Sequence, residues 1–424
     1  MMNHSFNYNL LKSAAERLDG GQLSGARNNA LNNLKNAEFP NKNHEDWKYT
    51  DISEALRLFN KSLTTNQESK HSSNKNNYQI MDQIDAHWII LNNEFFTNKK
   101  PTQPKKEEIM VSFASSKKDE TEILIDDPLS CLNAALIKDA IKITIQKNTE
   151  LKKPIGIIWD GFLDQNIHCS NFRCIIEIKE NATVDFIHVH ESKVNEPHFT
   201  NSVVQLDIAR NSKVNYLKIQ NYPKHHTLIE KSIANLNDNA HINYTNIDLG
   251  GDLSRSDIII NLNGEQSIAN VNGVYLASIN QHIDNHITAN HINRSTKSTQ
   301  DFYGIIGEKG HCVFNGKALI KEGAINSEAN QYNHNILLAD NAEIDTKPEL
   351  EIYTDDVKCS HGSTVGQLDK EALFYMQSRG INSNTAKKML TTAFIKKILD
   401  KINIQSSANY LDSVISKKLH NLSS

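Results

Sequence analysis

Through the middle of this chain a polar turn, a small residue and an apolar residue two places on recur in "ENATVDFIHV", "RNSKVNYLKI", "DNAHINYTNI", "EQSIANVNGV", "KGHCVFNGKA" and "DNAEIDTKPEL". Anchored at Asn181, Asn211, Asn239, Gln266, Lys309 and Asn341, the intervals are 30, 28, 27, 43 and 32 residues, the long one concealing a degenerate turn. Period-two alternation fills the space between anchors from about residue 150 to 352, with no helical period inside it. A repeat of that length cannot bury its own apolar face, so successive copies must stack, and stacked short strands make a β-helix or solenoid. A β-propeller is the rival, but its blades of about 40 residues need tighter periodicity and hairpin turns, which the sequence does not offer. Glycine (17) and proline (8) are sparse while asparagine is abundant. Asparagine tolerates the left-handed backbone region well for a residue with a side chain, so it is expected to make many of the turns.

The flanks have a different texture. Residues 5 to 37 are spaced for helices, with Leu10, Leu11, Ala14 and Leu18 before the Gly20-Gly21 pair and Ala26, Ala30, Leu31 and Leu34 after it. The polar, low-complexity stretch from about 60 to 78 reads as a mobile connector. "HWIILN" and "IMVSFAS" read as short strands. Beyond Leu368 three helices are expected: "DKEALFYMQSRGI", stopped at Gly380, "SNTAKKMLTTAFIKKIL", capped by Ser383 or Asn384, and "SSANYLDSVISKKLHNL". The chain divides into an N-terminal helical or α+β region over 1–145, a β-helix core over 146–358 and a C-terminal helical region over 359–424.

Charge and motif content exclude several classes of function. Net charge is −4 with 23% charged residues, so no basic field argues for nucleic acid or an anionic membrane. No apolar run approaches the roughly 18 residues of a membrane span. Glu16 and Arg17 also interrupt the segment where a signal peptide needs an unbroken apolar core. The five cysteines are odd in number and irregularly spaced, which suits a reducing cytoplasm better than a disulfide framework. A Walker phosphate loop, a G-x-S-x-G elbow and an H-E-x-x-H zinc helix are all missing, which removes the most easily recognised enzyme classes.

Four groups of ligating residues stand out. Cys169 and Cys174, five apart, fall on opposite faces of a strand and read as buried thiols. His282, Asp284 and His286 share one strand face, with His291 beyond them, as a ligand set for iron or zinc or as a polar ladder on a solenoid face. His188 and His190 in "HVHE" have the same spacing and a weaker claim. In "DDVKCSH", Asp355, Val357, Cys359 and His361 alternate onto one face. A thiolate and an imidazole so placed make half of an iron or iron–sulfur site or a nucleophile pair. Alternatively, Cys359 belongs to the core and His361 caps the turn at Gly362.

The segment "KPELEIYTDDVKCSHGSTVGQLDKEALFYMQSRGI", with "HEDWKYTDI", "LGGDLSRSDI" and "FNGKALI" upstream, resembles the SufB/SufD family of iron–sulfur cluster assembly proteins over nearly the whole chain. "WKYT" and "CSHGSTVGQLD" resemble the D branch, the B-type paralogue being the alternative. The resemblance implies a mainly β fold: a right-handed parallel β-helix core between an N-terminal helical or α+β region and C-terminal helices. It implies a non-catalytic scaffold that supports cluster formation and iron acquisition, pairs with SufB through the β-helices and docks the ABC-type ATPase SufC on its C-terminal region. Sulfur would arrive from a cysteine desulfurase system. His361 resembles the histidine proposed to help form or hold a cluster facing SufB, with Cys359 beside it. Phe374, Tyr375, Arg379 and Gly380 lie in the segment that resembles the ATPase-docking region. No tightly bound cofactor is expected. A transient iron–sulfur cluster at the SufB interface fits the resemblance, and reduced flavin in the complex stays open. Uncovered sheet edges tend to pair, so a homodimer in isolation is compatible with this reading. Two competing readings are a β-helix enzyme acting on polysaccharides and a stand-alone metal-binding protein using His282, Asp284 and His286.

Overall fold

The computed structural model of the chain describes residues 7–18, 23–64, 78–92, 96–97, 107–114, 123–137, 139–160, 168–192 and 196–423. Most of the connector expected at 60–78 lies outside the described residues. Of its ends, residues 60–64 finish the helix Ser53–Thr64, and Tyr78 is buried.

From residue 141 onward the strands fall alternately into two sheets, and each pairs in parallel with the strand two places along. Cys169–Ile178, His198–Ile208, His226–Leu236 and Leu253–Leu262 are successive neighbours in a sheet of 9 strands. Thr183–His190, Lys213–Gln220, His241–Asp248 and Ile268–Ala277 are successive neighbours in a sheet of 10. The chain therefore winds as a parallel β-solenoid. Antiparallel pairing is confined, among the described residues, to His87–Asn92 with Phe96–Thr97 and Ile109–Phe113 with Ile141–Ile145, which excludes the propeller.

Each passage from the 9-stranded to the 10-stranded sheet turns on one non-glycine residue with positive φ, Asn148, Asn181, Asn211, Asn239, Gln266, Ser295, Asn326 and Asp356, with Gly323 also at positive φ in the passage that holds Asn326. At every turn before the last, its backbone N–H donates to a carbonyl of the next coil, Asn181 to Arg210 at 3.1 Å and Asn211 to Asp238 at 2.9 Å. Ser295, 29 residues after Gln266, is the turn hidden in the long interval. Lys309 and Asn341 stand at the opposite corner, between the 10-stranded and the 9-stranded sheet, which is why the spacing stretched there. At every turn before the last the following residue is small because it is enclosed at the corner: Thr149, Ala182, Ser212, Ala240, Ser267, Thr296 and Ser327 are all buried.

Between the sheets runs a lumen filled by inward side chains such as Ile143, Ile176, Leu206, Leu236, Ile260 and Phe314. Strands about 4.8 Å apart and in register set side chains directly beside one another, so a large ring needs a gap next to it. Gly273 lies beside Phe302, and Gly304 beside Tyr275. A Cβ at those glycines would stand 2.1 and 2.2 Å from the rings. Asparagines use the same register outside the lumen: Asn243 Nδ2 donates to Asn215 Oδ1 at 2.8 Å, and Asn270 Nδ2 to Asn243 Oδ1 at 2.9 Å.

Helices cover the outer faces. Tyr8–Glu16, Ser24–Leu34, Ser53–Thr64 and Pro128–Ala135 bury Leu11, Leu31, Phe59 and Leu132 in one cluster with Phe199 and Ile229 of the 9-stranded sheet. Ser383–Leu399 and Ala408–Ser423 place Ile395, Ile398, Leu411 and Ile415 with Ile187, Leu217 and Ile247 of the 10-stranded sheet. Asp369 caps Lys370–Ser378. Gly380, at φ +85°, closes that helix as expected, its N–H bonded to Gln377 and that of Ile381 to Met376. The cap of the next helix is Asn382, whose side chain accepts from the Thr385 N–H, and not Ser383 or Asn384. The solenoid also runs past the expected boundary at 358: Lys358–Gly366 is a strand of the 10-stranded sheet, so the helices begin only at Lys370. At the other end His87–Asn92 and Ile141–Ile145 already belong to the two sheets. No helix among the described residues is long and apolar enough to cross a membrane.

Candidate functional site

The solenoid ends in Glu343–Ile352 and Lys358–Gly366, the last strand of each sheet. Pairing sets Cys359 against Ala329, His361 against Gln331 and Ser363 against Asn333. Those three neighbours are buried in the preceding coil, so Cys359, His361 and Ser363 face the lumen. Thr346 Oγ1 meets Ser363 Oγ at 3.0 Å, joining the two last strands. No coil lies beyond them among the described residues, and positions buried elsewhere are open here: Ile352 is 43% and Val365 50% exposed. His361 is exposed, while Cys359 is half-buried against Ala318, Ile320 and Ala329.

Burial pushes the Cys359 thiol up, with a hydrogen bond from the Ala329 backbone pulling the other way. The thiol is therefore protonated at neutral pH. It becomes a ligand by giving its proton up to an incoming metal. Cys131, Cys169, Cys174 and Cys312 are buried. Cys174 lies in the lumen cluster and Cys169 in the outer one, the opposite faces that strand alternation predicts.

Beyond the last coil, Lys370–Ser378 buries none of its residues, and Phe374 and Tyr375 are 71% and 59% exposed. Arg379 stands 5.2 Å from the Tyr375 ring centroid. Nothing comes within 4 Å of a Cβ at Gly380, so its glycine serves the positive φ and not a close approach. Met389 on the following helix is also half exposed.

His282, Asp284 and His286 lie on one strand, with Asp284 already engaged. Arg255 Nη1 is 2.6 Å from Asp284 Oδ2, and the Thr50 hydroxyl donates to the same oxygen at 2.5 Å. His286 Nε2 lies 3.0 Å from Asp284 Oδ1, and His282 Nε2 2.8 Å from Thr50 Oγ1. The guanidinium stacks on Trp47 at 3.6 Å and donates to the Asp46 carbonyl at 2.8 Å. Burial alone would raise the Asp284 carboxyl, but Arg255, His286 and Thr50 outweigh it and hold it well below the usual carboxylate range. Burial lowers His282 to about 4. The trio thus clamps the "HEDWKYT" segment to the outside of the solenoid. His282 Nε2 and Asp284 Oδ2 are thereby taken up by this segment and by Arg255.

Two features are not legible in the sequence. Ile352, Ser363 and Val365 join the open coil, but the polar His361 and Ser363 at its inward positions break the apolar alternation that would have marked the strand. In the lumen His188 and His190 meet Glu230, 40 residues from His190. Stacking alone brings them together, so no local spacing announces the group.

Over residues 162–394 the chain matches the family described as "SUF system FeS cluster assembly, SufBD core domain", and over residues 7–157 the "SufBD protein N-terminal region". It is 30% identical over 272 residues to the iron-sulfur cluster assembly protein SufD of Escherichia coli K12, across 63% of this chain and 64% of that one. To the iron-sulfur cluster assembly SufBD family protein slr0076 of Synechocystis it is 26% identical over 419 residues, across 93% and 90%. To the chloroplastic protein ABCI7 of Arabidopsis thaliana it is 25% identical over 235 residues, across 55% and 49%. The matched part thus spans less than two thirds of the Escherichia coli relative and nine tenths of the Synechocystis one. With a parallel β-solenoid flanked by helices and both family segments in order, this chain belongs to the SufBD family of iron–sulfur cluster assembly proteins.

Proposed function

We propose that this chain is a D-type scaffold subunit, without catalysis of its own, that pairs with a SufB subunit at its open coil and carries a SufC ATPase on its C-terminal helices. The observation that carries this reading is the last coil, where inward positions buried everywhere else stand uncovered and two strands end their sheets. A free edge offers unpaired N–H and C=O groups to another chain. Cys359 and His361 then supply a thiolate and an imidazole to half of an iron or iron–sulfur site, and the partner supplies the rest. In the absence of SufB the same coil offers itself to a second copy of this chain.

The exposed Phe374 and Tyr375 suit a docked ATPase. ATP-driven dimerisation of two SufC copies can move the subunits only by favouring one arrangement of their docking helices over another. Shearing the SufB interface in that way would uncover Cys359 and His361 for iron and sulfur. The test is co-purification with SufB and SufC, followed by cluster assembly with His361→Ala. Assembly should slow sharply with an intact complex, and a normal rate in the variant would remove His361 from the site. Cys359 should be alkylated faster with ATP than without it, and equal rates count against the shearing step.

A further inference from the structure

We infer that the lumen holds a divalent-metal site made by His188, His190 and Glu230, separate from the open coil. The ligand atoms of the three residues lie within 4.8 Å of one another, and all three side chains are buried. His190 Nε2 stands 2.6 Å from Glu230 Oε2, and the two imidazole rings are 4.4 Å apart. His188 Nδ1 lies 2.8 Å from the Tyr216 hydroxyl, while its Nε2, equally enclosed, has no hydrogen-bond partner among the described residues. With Nδ1–H donated to Tyr216, Nε2 turns its lone pair into the lumen.

An orphaned buried nitrogen costs on the order of 1–3 kcal/mol, and native structures seldom carry one without a reason. Two imidazoles and a carboxylate are the donor set of zinc and of non-haem iron(II). The Tyr216 contact is the outer partner that fixes the tautomer of a ligating histidine. Glu230 is oriented from behind: the Ser202 hydroxyl donates to Oε2 at 2.6 Å, that of Ser232 to Oε1 at 3.2 Å, and Lys218 Nζ stands 3.0 Å from Oε1. Lys218 also donates to Ser256 at 2.8 Å and acts on the buried Asp248, so two acids face one lysine here. On binding, the ring proton of His190 would move from Nε2 to Nδ1, 3.4 Å from the Tyr222 hydroxyl, and the ion would take its place between Nε2 and Glu230 Oε2. The strand Thr183–His190 is six strands from Lys358–Gly366 in the same sheet, roughly 30 Å at the spacing of paired strands. The site is thus independent of the proposed partner interface, and it departs from the expectation of no tightly bound cofactor.

The test uses the untagged full-length chain synthesised in medium supplemented with cobalt(II), so that the lumen is loaded as it forms, then gel-filtered in the presence of a chelator. About one cobalt per chain should survive, with visible ligand-field bands of a nitrogen- and oxygen-ligated ion. His188→Gln and Glu230→Gln should each lower retention by about 10-fold or more, while His361→Ala leaves it unchanged. A folded His188→Gln protein that keeps its cobalt overturns the site. Wild-type chain that retains no cobalt, leaving only water at His188 Nε2, overturns it whether or not the variants fold. None of these readings depends on cluster assembly.

Discussion

The middle of the solenoid and its last coil follow one pattern in different surroundings. Already one coil inside the end, Ala329, Gln331 and Asn333 are buried, while their register neighbours Cys359, His361 and Ser363 lie at least partly open. Lumen-facing residues of the middle hold the fold together. Those of the end add little to the isolated chain and are free to serve a partner. Exposure at the end follows from where the coils stop and not from a change of residue type, since Ile352 and Val365 would suit any core position.

Cutting a hole in the middle should have the largest effect. Phe302→Ala removes a buried ring packed 5.2 Å from Phe314 beside Gly273 and should cost about 3–5 kcal/mol. Val365→Ala at the end should cost less than about 1 kcal/mol. Urea unfolding of the two variants reads the contrast directly, and equal losses would erase the distinction between the regions.

The outer clamp should come close behind. Arg255→Ala takes from the buried Asp284 charge its guanidinium partner, a loss of about 3–5 kcal/mol. Because the folded Asp284 carboxyl is depressed, its contribution is complete above the unfolded value of about 3.9 and fades as pH falls toward the folded one. His282 acts in the same sense over a higher window. Its folded value of about 4 lies below the unfolded value near 6.5, so acidification between the two favours the unfolded chain. Thermal midpoints recorded from pH 8 to 4 should fall toward acid, and His282→Asn should flatten that slope.

Outside the core, replacing Phe374 and Tyr375 together by alanine should weaken SufC binding by about 10- to 100-fold with no change in unfolding, as calorimetric titration would read. Asn243→Ala interrupts a surface ladder and should cost only about 1 kcal/mol in urea unfolding. A loss as large as that of Phe302→Ala would mean that the ladders, and not the lumen, set the stability of the middle.

The repeat was legible because stacked coils demand a small residue after each left-handed turn, as at Asn181-Ala182 and Asn239-Ala240. It blurred where Ser295 replaced asparagine and where Lys309 belonged to the other corner. Asparagine abundance has a second cause, the ladder through Asn215, Asn243 and Asn270, which no turn preference predicts. Pro128–Ala135 carried its signal in Asp127-Pro128, a cap followed by a first-turn proline. Alternation was enough to put Cys359 and His361 on one face. That this face is the lumen at an uncovered end depends on the number of coils and where they stop, which no local pattern encodes.

Cys359 is the one cysteine that is not buried, and alkylation at this position therefore tests the proposed pairing at the last coil most directly. With the chain alone, brief exposure to a small alkylating agent followed by peptide mass spectrometry should find Cys359 modified and the other four thiols spared. In a stoichiometric complex with SufB and no nucleotide, Cys359 should be strongly protected. Equal modification of Cys359 in the free chain and in that complex would contradict it.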